Sequence, residues 1–366
     1  MTSGESAARH EGLDQSAIFR GKTDATAAGI AGPSIPAFVA GEELADLAEA
    51  DSRIVVLTAD LASANRTADF AARHPGRFFN VGIAEKNMLT IAAGLAASGK
   101  VPFAATFAAF AALLGCEQIR TDIAYPGQPV RILAHHSGMS MGYYGSSHHS
   151  LEDIAIMRSI AGLTVTCVCD GNQLRAALRA SLHHPDPIYL RLGRGRDPEV
   201  YPEVPADFQF GRARLLRDGG DLTIFATGSE VWPALQAAGM LSGRGIEARV
   251  VDMHTVSPID REEVLAAAAD TAAILTVEEH NVTGGLGSAV AEVLADAGTG
   301  TRFRRHGTPD CYALLGPPAA LYAHYRLDAA GIAAVAAEFV ADRTGKGSAG
   351  ALPAHLGTGF ARRGRP

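Results

Sequence analysis

The chain has 366 residues, of which 47% are hydrophobic and 19% charged, and its formal net charge is −7. These values are typical of a soluble globular protein of about two domains and exclude the basic surface that nucleic-acid binding requires. The longest apolar segments, such as residues 104–115, are shorter than the roughly 20 residues of a membrane span. Residues 1–20 contain no apolar core like that of a secretory signal. We therefore expect a cytoplasmic protein with neither nucleic-acid nor membrane partners.

Both ends of the chain have compositions that disfavour a packed core. Residues 1–34 are rich in Ala, Gly, Ser and Thr, and residues 343–366 have a similar composition with three arginines near the end. Such segments cannot bury enough apolar surface to offset the entropy of ordering. They are predicted to be flexible.

Apolar segments alternate with alanine-rich segments in residues 35–200. Strands are predicted at residues 54–58, 130–134, 163–168 and 188–192, and helices at 41–50, 86–98, 151–160 and 172–182. This alternation predicts a parallel sheet with helices on both faces.

A proline-containing segment, residues 196–210, predicts a linker, after which the pattern begins again. Strands are predicted at residues 222–226, 248–253 and 273–277, with a helix opening at residues 228–230 and another after the glycine-rich turn 284–287. The second domain is placed at residues 210–342. The fold class is therefore two doubly wound α/β domains.

The segment 80–88 places a carboxylate, Glu85, at the start of a helical sequence. From the local pattern alone, a glutamate there is most often a partner of the helix dipole. The string resembles the "GIAEQNM" signature of the transketolase family, with Lys86 in place of Gln. The resemblance implies binding of thiamine diphosphate, with Ile83 at the cofactor. Glu85 would hydrogen-bond the pyrimidine ring and favour the tautomer that removes the thiazolium proton.

Two aromatic residues, Phe107 and Phe110, are spaced to share one face of a helix, where ordinary core packing is the simplest role. Their segment resembles the family's "P-x-x-x-T-F-x-x-F" pyrimidine pocket. The resemblance implies that Phe107 stacks on the aminopyrimidine and that Phe110 walls it. The family often has a tyrosine at the position of Leu113, so the edge of the pocket is altered.

Residues 136–153 form a segment rich in histidine and glycine, a composition typical of functional loops. A zinc site is an alternative, but no matching Cys or carboxylate spacing accompanies the histidines, and no metal ligand is assigned. The segment resembles the family's "H-A-G-I-S-x-G-E-D-G-P-T-H-Q-x-x-E-D". His136 and His148 would then contact the oxygens of the donor substrate. The family's Glu-Asp pair is Tyr143-Tyr144 here, which suggests a different or shorter substrate.

The expected phosphate anchors are mostly absent. The segment 60–65 resembles "D-L-x-x-S-N", which places Asp60 at the cofactor but substitutes Ala64 for the phosphate-binding serine. The family's upstream arginine corresponds to Ala37. Arg194 alone matches a phosphate-contacting arginine, and on the local pattern it is equally well a solvated loop cation. The loss of two anchors weakens the case for a phosphorylated sugar.

The resemblance covers residues 35–340, and the segment 277–288 is similar to the "E-E-H-x-x-x-G-G-L-G-S" of the transketolase C-terminal domain. A glycine-rich turn before a helix can hold phosphate, but no catalysis is assigned to this one. The "G-D-G" segment that binds magnesium and the diphosphate is missing. We therefore expect a split enzyme whose partner, an N-terminal-half subunit, carries the Mg²⁺ ligands, in a heterotetramer of two of each chain.

The predicted function is transfer of a two-carbon ketol unit from a ketose-like donor to an aldehyde by the C-terminal subunit of a thiamine-diphosphate-dependent transketolase-like enzyme. One alternative keeps the cofactor but uses a pyruvate-like donor, as in deoxyxylulose-phosphate synthase or the beta subunit of pyruvate dehydrogenase. Another is a non-catalytic paralogue that stabilises its partner. The intact Glu85 argues against that last alternative.

Overall fold

The computed structural model describes residues 39–194 and 197–342. Ala37 and the segments predicted to be flexible lie outside the described residues. Within these two ranges the strands form one seven-stranded and one five-stranded sheet.

The first part of the chain supplies six strands and five helices within residues 39–194. In chain order they are α1 (Val39–Ala50), β1 (Ile54–Thr58), α2 (Ala68–Arg73), β2 (Phe78–Asn80), α3 (Glu85–Ala97), β3 (Val101–Phe107), β4 (Arg131–His135), α4 (Asp153–Arg158), β5 (Thr164–Cys167), α5 (Gly171–Ser181) and β6 (Ile188–Arg191). Shorter helical turns occupy Pro75–Arg77, Phe110–Leu114, Cys116–Gln118, Ile119–Ala124 and Gly142–Ser147.

The second part, within residues 197–342, supplies six strands and five helices. They are β7 (Arg214–Arg217), β8 (Leu222–Ala226), α6 (Val231–Ser242), β9 (Ala248–Asp252), β10 (Thr255–Ser257), α7 (Arg261–Asp270), β11 (Ala273–Asn281), α8 (Leu286–Asp296), β12 (Arg302–Thr308), α9 (Pro318–His324) and α10 (Ala329–Ala341). A single 3₁₀ turn, Gly228–Glu230, leads into α6.

The seven-stranded sheet has the order β10-β5-β6-β4-β3-β1-β2. Every neighbouring pair is parallel except β10 and β5, which are antiparallel. The predicted parallel sheet is confirmed. Strand β10 comes from the second part of the chain, so the two parts share this sheet.

The five-stranded sheet has the order β12-β11-β8-β9-β7, with β7 antiparallel to β9 and the other pairs parallel. Strand β8 has the predicted bounds. Strand β11 extends four residues beyond its predicted end at residue 277, to Asn281.

Helices cover both faces of the first sheet, as the burial of β1 illustrates. Val55 and Leu57 belong to one apolar cluster, whereas Ile54 and Val56 belong to another. Side chains alternate between the faces of a strand, so each face has its own core. The doubly wound α/β class predicted from the sequence is confirmed.

One local prediction was wrong. Phe107 and Phe110 do not share a helix face, because Phe107 is the last residue of β3 and Phe110 begins a short π-helical turn. Strand β3 pairs with β1 on one side and β4 on the other. These ladders override the weak strand propensity of its alanines. No helix in the described part of the chain is long and apolar enough to cross a membrane.

Candidate active site

The predicted site residues follow the carboxyl ends of five neighbouring parallel strands. Asp60 follows β1, Glu85 follows β2, Phe107 ends β3, His136 follows β4 and Arg194 follows β6. Ligands of open α/β sheets bind at this edge. The fold therefore brings together side chains that are up to 134 residues apart in sequence (194 minus 60).

Asn80 links the ends of the first two strands. Its Oδ1 accepts hydrogen bonds from the backbone N–H groups of Asp60 (3.0 Å) and Gly82 (3.1 Å), and its Nδ2 donates to Asp60 Oδ1 (3.2 Å). Asp60 has a φ of +60°, a region that aspartate tolerates better than most residues. Asn80 thus fixes the segments that follow β1 and β2, and the second of these leads to Glu85. Its place at the end of a strand could have indicated this role.

Glu85 is the first residue of α3 and is 7% exposed. Among the described residues, no hydrogen bond or ion pair reaches its carboxylate, and no side chain caps the helix at Ala84. The positive end of the helix dipole stabilises a negative charge at this position. A carboxylate that no protein group bonds is free to bond a ligand.

An aromatic floor lies beside two histidines. The ring centroids of Phe107 and Phe110 are 5.5 Å apart, and that of Phe107 is 4.4 Å from His136. His148 lies 5.2 Å from Phe110 and 4.9 Å from Tyr144, again between centroids. The structure thus brings these five predicted residues into one cluster.

His136 is held as a neutral imidazole. Burial, together with the nearby charges of Arg194 and Arg66, lowers its pKa to about 4. Its backbone, at a φ of +58°, is tied to the loop after β6 by a hydrogen bond from its N–H to Gly193 O (3.3 Å). Its Nδ1 is buried without a partner in the described structure. A ring nitrogen of a neutral His136 can therefore bond a ligand.

His148 is half-buried, and burial also lowers its pKa. Its Nδ1 lies 2.9 Å from Ser147 Oγ. This contact engages Nδ1 and leaves Nε2 as the ring nitrogen that can bond a ligand.

The outer side of the site exposes apolar side chains. Ile83 is 84% exposed, Tyr144 60% and Leu113 54%. Arg194 is also exposed, and its Nη1 lies 3.4 Å from Ser140 O. Large exposed apolar residues around a polar site are typical of an interface. Across residues 39–194 and 197–342, no group of three His, Cys, Asp or Glu could hold a metal ion.

The sequence indicated no role for Arg66, which directly follows the motif that ends at Asn65. Its charge nevertheless acts on His136. It is a second cation beside Arg194 in a site where the expected phosphate anchors are missing. Its left-handed backbone, with a φ of +56°, could not be read from residue type.

At the glycine-rich turn after β11, the carboxylate of Glu278 occupies the position at the start of α8 where a phosphate would bind. Glu278 accepts hydrogen bonds from the backbone N–H groups of Leu286 (2.7 Å) and Gly287 (2.8 Å) at the start of α8. A Cβ on Gly285 would lie 1.9 Å from Glu278 Oε2, so this position needs glycine. The turn serves the packing of its own domain.

Two families match successive parts of the chain. Residues 37–198 match the transketolase pyrimidine-binding domain, and residues 211–332 match the transketolase C-terminal domain. Together these matches cover most of the two sheets.

Curated relatives include subunits of divided enzymes. The chain is 40% identical over 299 residues to a subunit of the apulose-4-phosphate transketolase of Phocaeicola vulgatus, covering 82% of this chain and 95% of the relative. It is 45% identical over 273 residues to the 6-deoxy-6-sulfo-D-fructose transketolase subunit SqwH of Clostridium sp., covering 75% and 84%. It is 40% identical over 308 residues to 1-deoxy-D-xylulose-5-phosphate synthase 1 of Geobacter sulfurreducens, covering 82% of this chain but 47% of that relative.

Solved structures give the same relationship. A split-gene transketolase, described as an inactive beta4 tetramer, is 42% identical with a TM-score of 0.74, over 83% of this chain and 96% of that one. The transketolase of Campylobacter jejuni has a TM-score of 0.71 at 21% identity, over 84% and 47% of the two chains, and shows the shared fold.

Proposed function

Because the chain belongs to the transketolase family, whose members depend on thiamine diphosphate, we propose that it is the C-terminal subunit of a two-component enzyme. The complex transfers a two-carbon ketol unit from a ketose-like donor to an aldehyde acceptor. Its working location is the cytoplasm.

The strongest support comes from the carboxyl edge of the first sheet. Glu85, a residue only 7% exposed whose carboxylate has no partner among the described residues, follows β2 at this edge. Phe107 at the end of β3 and His136 after β4 lie nearby, with their ring centroids 4.4 Å apart. A carboxylate that no protein group bonds is available to a ligand. Such a carboxylate at the same sheet edge as the aromatic rings suits a ligand with a flat ring and a hydrogen-bonding nitrogen.

These residues fit the aminopyrimidine half of thiamine diphosphate. Glu85 would hydrogen-bond the ring nitrogen, Phe107 and Phe110 would pack on the ring, and Asp60 and Ile83 would line the cofactor from the ends of β1 and β2. When bound, the cofactor supplies the carbon nucleophile for the transfer.

The donor side of the reaction is assigned to the two histidines. Both His136 and His148 have pKa values lowered by burial, so they are neutral at pH 7. A neutral imidazole can donate one hydrogen bond to a donor oxygen and accept another. Tyr144 and Arg194 border the entrance and would contact the rest of the substrate.

The partner is an N-terminal-half subunit that carries the diphosphate site and the Mg²⁺ ligands. Support comes from relatives that are themselves named as subunits of transketolases and from the exposed apolar residues around the site. The proposed assembly is a heterotetramer of two of each chain. Native mass spectrometry of the mixed subunits tests it, and a lone monomer of this chain in the presence of the partner would refute it.

A second candidate uses a pyruvate-like donor. Tyr143 and Tyr144 replace the acidic pair of sugar-using relatives, and a deoxyxylulose-phosphate synthase shares 40% identity with the chain. A tyrosine cannot accept a sugar hydroxyl bond as a carboxylate does, so a smaller donor fits this change. A non-catalytic paralogue is the third candidate, supported if Glu85→Ala leaves the activity of the complex unchanged.

The deciding experiment mixes the chain with the N-terminal-half subunit of the same organism, thiamine diphosphate and magnesium. Ketol transfer from xylulose 5-phosphate to ribose 5-phosphate supports the first candidate. A complex that binds the cofactor but does not transfer from this donor does not use xylulose 5-phosphate, and non-phosphorylated ketoses and pyruvate are then tested as donors.

A further inference from the structure

The second domain contacts the proposed substrate-binding loop, residues 136–150, through one buried carboxylate. Glu279 on β11 is 1% exposed. Its Oε1 accepts hydrogen bonds from the backbone N–H of Met139 (2.6 Å) and from Tyr322 Oη (2.6 Å), and its Oε2 accepts one from Ser229 Oγ (2.8 Å). One side chain thus joins the loop, β11, α9 and the turn before α6.

We propose that Glu279 is a positioning residue for ketol transfer. It holds the neck of the loop, where Gly138 pairs with Ser150, so that His136 and His148 stay beside the aromatic floor of Phe107 and Phe110. The inference deepens the proposed function and rests on it for its catalytic meaning. It gives the second domain a part in the reaction, whereas the sequence indicated none.

The contact is at the point where the loop closes. Gly138 and Ser150 form two backbone hydrogen bonds, of 3.1 and 2.9 Å, that bring the ends of the loop together. The Glu279 carboxylate packs against Gly138, where a Cβ would lie 1.9 Å from the carboxyl carbon. Gly138 also has a φ of +63°, so both space and backbone geometry require glycine.

A buried arginine fastens the other end of the neck. Arg191 Nη2 donates to Ser150 O (3.0 Å) and to the backbone oxygen of Glu279 (2.9 Å), and its Nε donates to Asp153 Oδ2 (2.8 Å). The Arg191–Asp153 pair is at most 2% exposed. Both ends of the loop are therefore tied to the same residue of β11, once through its side chain and once through its main chain.

The tip of the loop packs against the same domain. A Cβ at Gly145 would lie 2.3 Å from Leu315 Cδ2, and one at Gly142 would lie 2.7 Å from Gly316 O. The segment that precedes α9 therefore supports the tip, while Glu279 fixes the neck. A loop held at both places has few alternative positions for His148.

Glu279 holds the loop through hydrogen bonds, and the charge of the nearby Arg191 also stabilises its carboxylate. Burial raises its pKa, and the three donors stabilise the carboxylate. A glutamine could keep Met139 and Tyr322 as donors to its oxygen while its amide donates to Ser229 Oγ. Glu279→Gln is therefore the conservative variant, and Glu279→Ala removes the contact.

The first test is hydrogen–deuterium exchange of residues 136–150 in the full chain. Glu279→Ala should raise the exchange rate of this segment by about tenfold or more, since the Met139 N–H loses its acceptor, and Glu279→Gln should stay near wild type. Glu278→Ala is the matched control, because it removes the neighbouring buried carboxylate, which bonds α8 instead of the loop. Unchanged loop exchange in Glu279→Ala, or an equal rise in Glu278→Ala, would overturn the proposal.

If Glu279→Ala does not fold, the double variant Ser229→Ala with Tyr322→Phe replaces it. This change leaves the carboxylate in place but removes two of the donors that orient it. Faster exchange at residues 136–150 is again expected. A protection pattern identical to wild type would contradict the positioning role.

The second test measures kinetics in the complex with the N-terminal-half subunit. Glu279→Ala should lower kcat/KM for the donor by about tenfold or more, with the half-saturating concentration of thiamine diphosphate unchanged, because Glu85 and Phe107 lie on other strands. Recovery in Glu279→Gln is expected, and an equal loss there overturns the proposal. If the wild-type complex transfers no ketol unit, the proposed function fails, while the exchange experiment still decides whether Glu279 holds the loop.

Discussion

The carboxyl ends of the two sheets have the same architecture but differ in how their polar groups are satisfied. At the first sheet, His136 Nδ1 is buried without a partner among the described residues, and no hydrogen bond or ion pair in the described structure reaches the Glu85 carboxylate. At the second sheet, Glu278 and Glu279 are buried, and both oxygens of each carboxylate accept hydrogen bonds from protein groups. Asp252 is the exception there, because its Oδ1 is buried without a partner in the described structure while its Oδ2 is bonded. A strand end whose groups already have partners stabilises the molecule, and one whose groups lack partners is available to a ligand.

The largest effect is expected from Glu85→Gln. The amide cannot act as the carboxylate does at the pyrimidine nitrogen, so ketol transfer by the complex should fall by about 10²-fold or more. The steady-state rate at saturating thiamine diphosphate measures this.

The thermal unfolding midpoint of the Glu85→Gln chain alone is the control, and it should stay at or above the wild-type value. Retention of full activity would mean that the first sheet is as structural as the second.

The opposite result is expected at the second sheet. Glu278→Ala leaves two backbone N–H groups at the start of α8 without their acceptor, which should lower the free energy of unfolding by about 1–3 kcal/mol. Urea denaturation measures the loss. An unchanged midpoint would show that water replaces the carboxylate at little cost, contrary to its burial.

Asp252 gives a test by pH. Burial raises its pKa to about 7, although hydrogen bonds from Tyr201 and Gln173 oppose the rise. Because the folded pKa exceeds the unfolded one, stability from this group is present at low pH and is lost as the pH rises through 7. Asp252→Asn should therefore cost less stability at pH 8 than at pH 5, by about 2 kcal/mol. Urea midpoints of variant and wild type at both pH values measure the difference, and an equal cost at both would contradict the raised pKa.

The smallest effect concerns the substrate. Tyr144→Asp restores an acceptor beside His148, and kcat/KM for xylulose 5-phosphate relative to pyruvate should rise by about tenfold. Tyr144→Phe is the matched control and should leave the ratio close to wild type. An unchanged ratio in Tyr144→Asp would show that the tyrosine does not set the choice of donor.

The sequence predicted those elements of the fold that correspond to an unbroken run of β-branched or apolar residues. Strands β1 and β8 have the predicted bounds, because runs of β-branched and apolar residues lie between clear boundaries. Strand β3 was not predicted, since Pro102 and its alanines have weak strand propensity and its state depends on neighbours on both sides. Strand β10, with three residues, is too short to leave a pattern.

The sequence predicted the local structure around a candidate site residue correctly where a single contiguous motif contained it. Glu85 begins a helix as expected. Phe107 and Phe110 are neighbours in space, but because a strand ends at one and a helical turn begins at the other, and not because they share a helix face. The bond from Met139 to Glu279 joins residues 140 positions apart, and no local pattern could indicate it. Contacts of this kind depend on how two sheets meet, which only the folded chain defines.

The short strand β10 has a consequence for anyone who wishes to divide or recombine this chain. It covers the β5 edge of the first sheet, with Cys167 N–H donating to His254 O at 2.7 Å. A fragment cut in the linker near residue 205 would leave β5 as a bare edge, which invites pairing between copies and aggregation. The two halves can be separated in sequence, but the first half cannot be expected to stay soluble without β10. A chimaera between relatives must therefore transfer residues 255–257 together with β5, the strand that they cover.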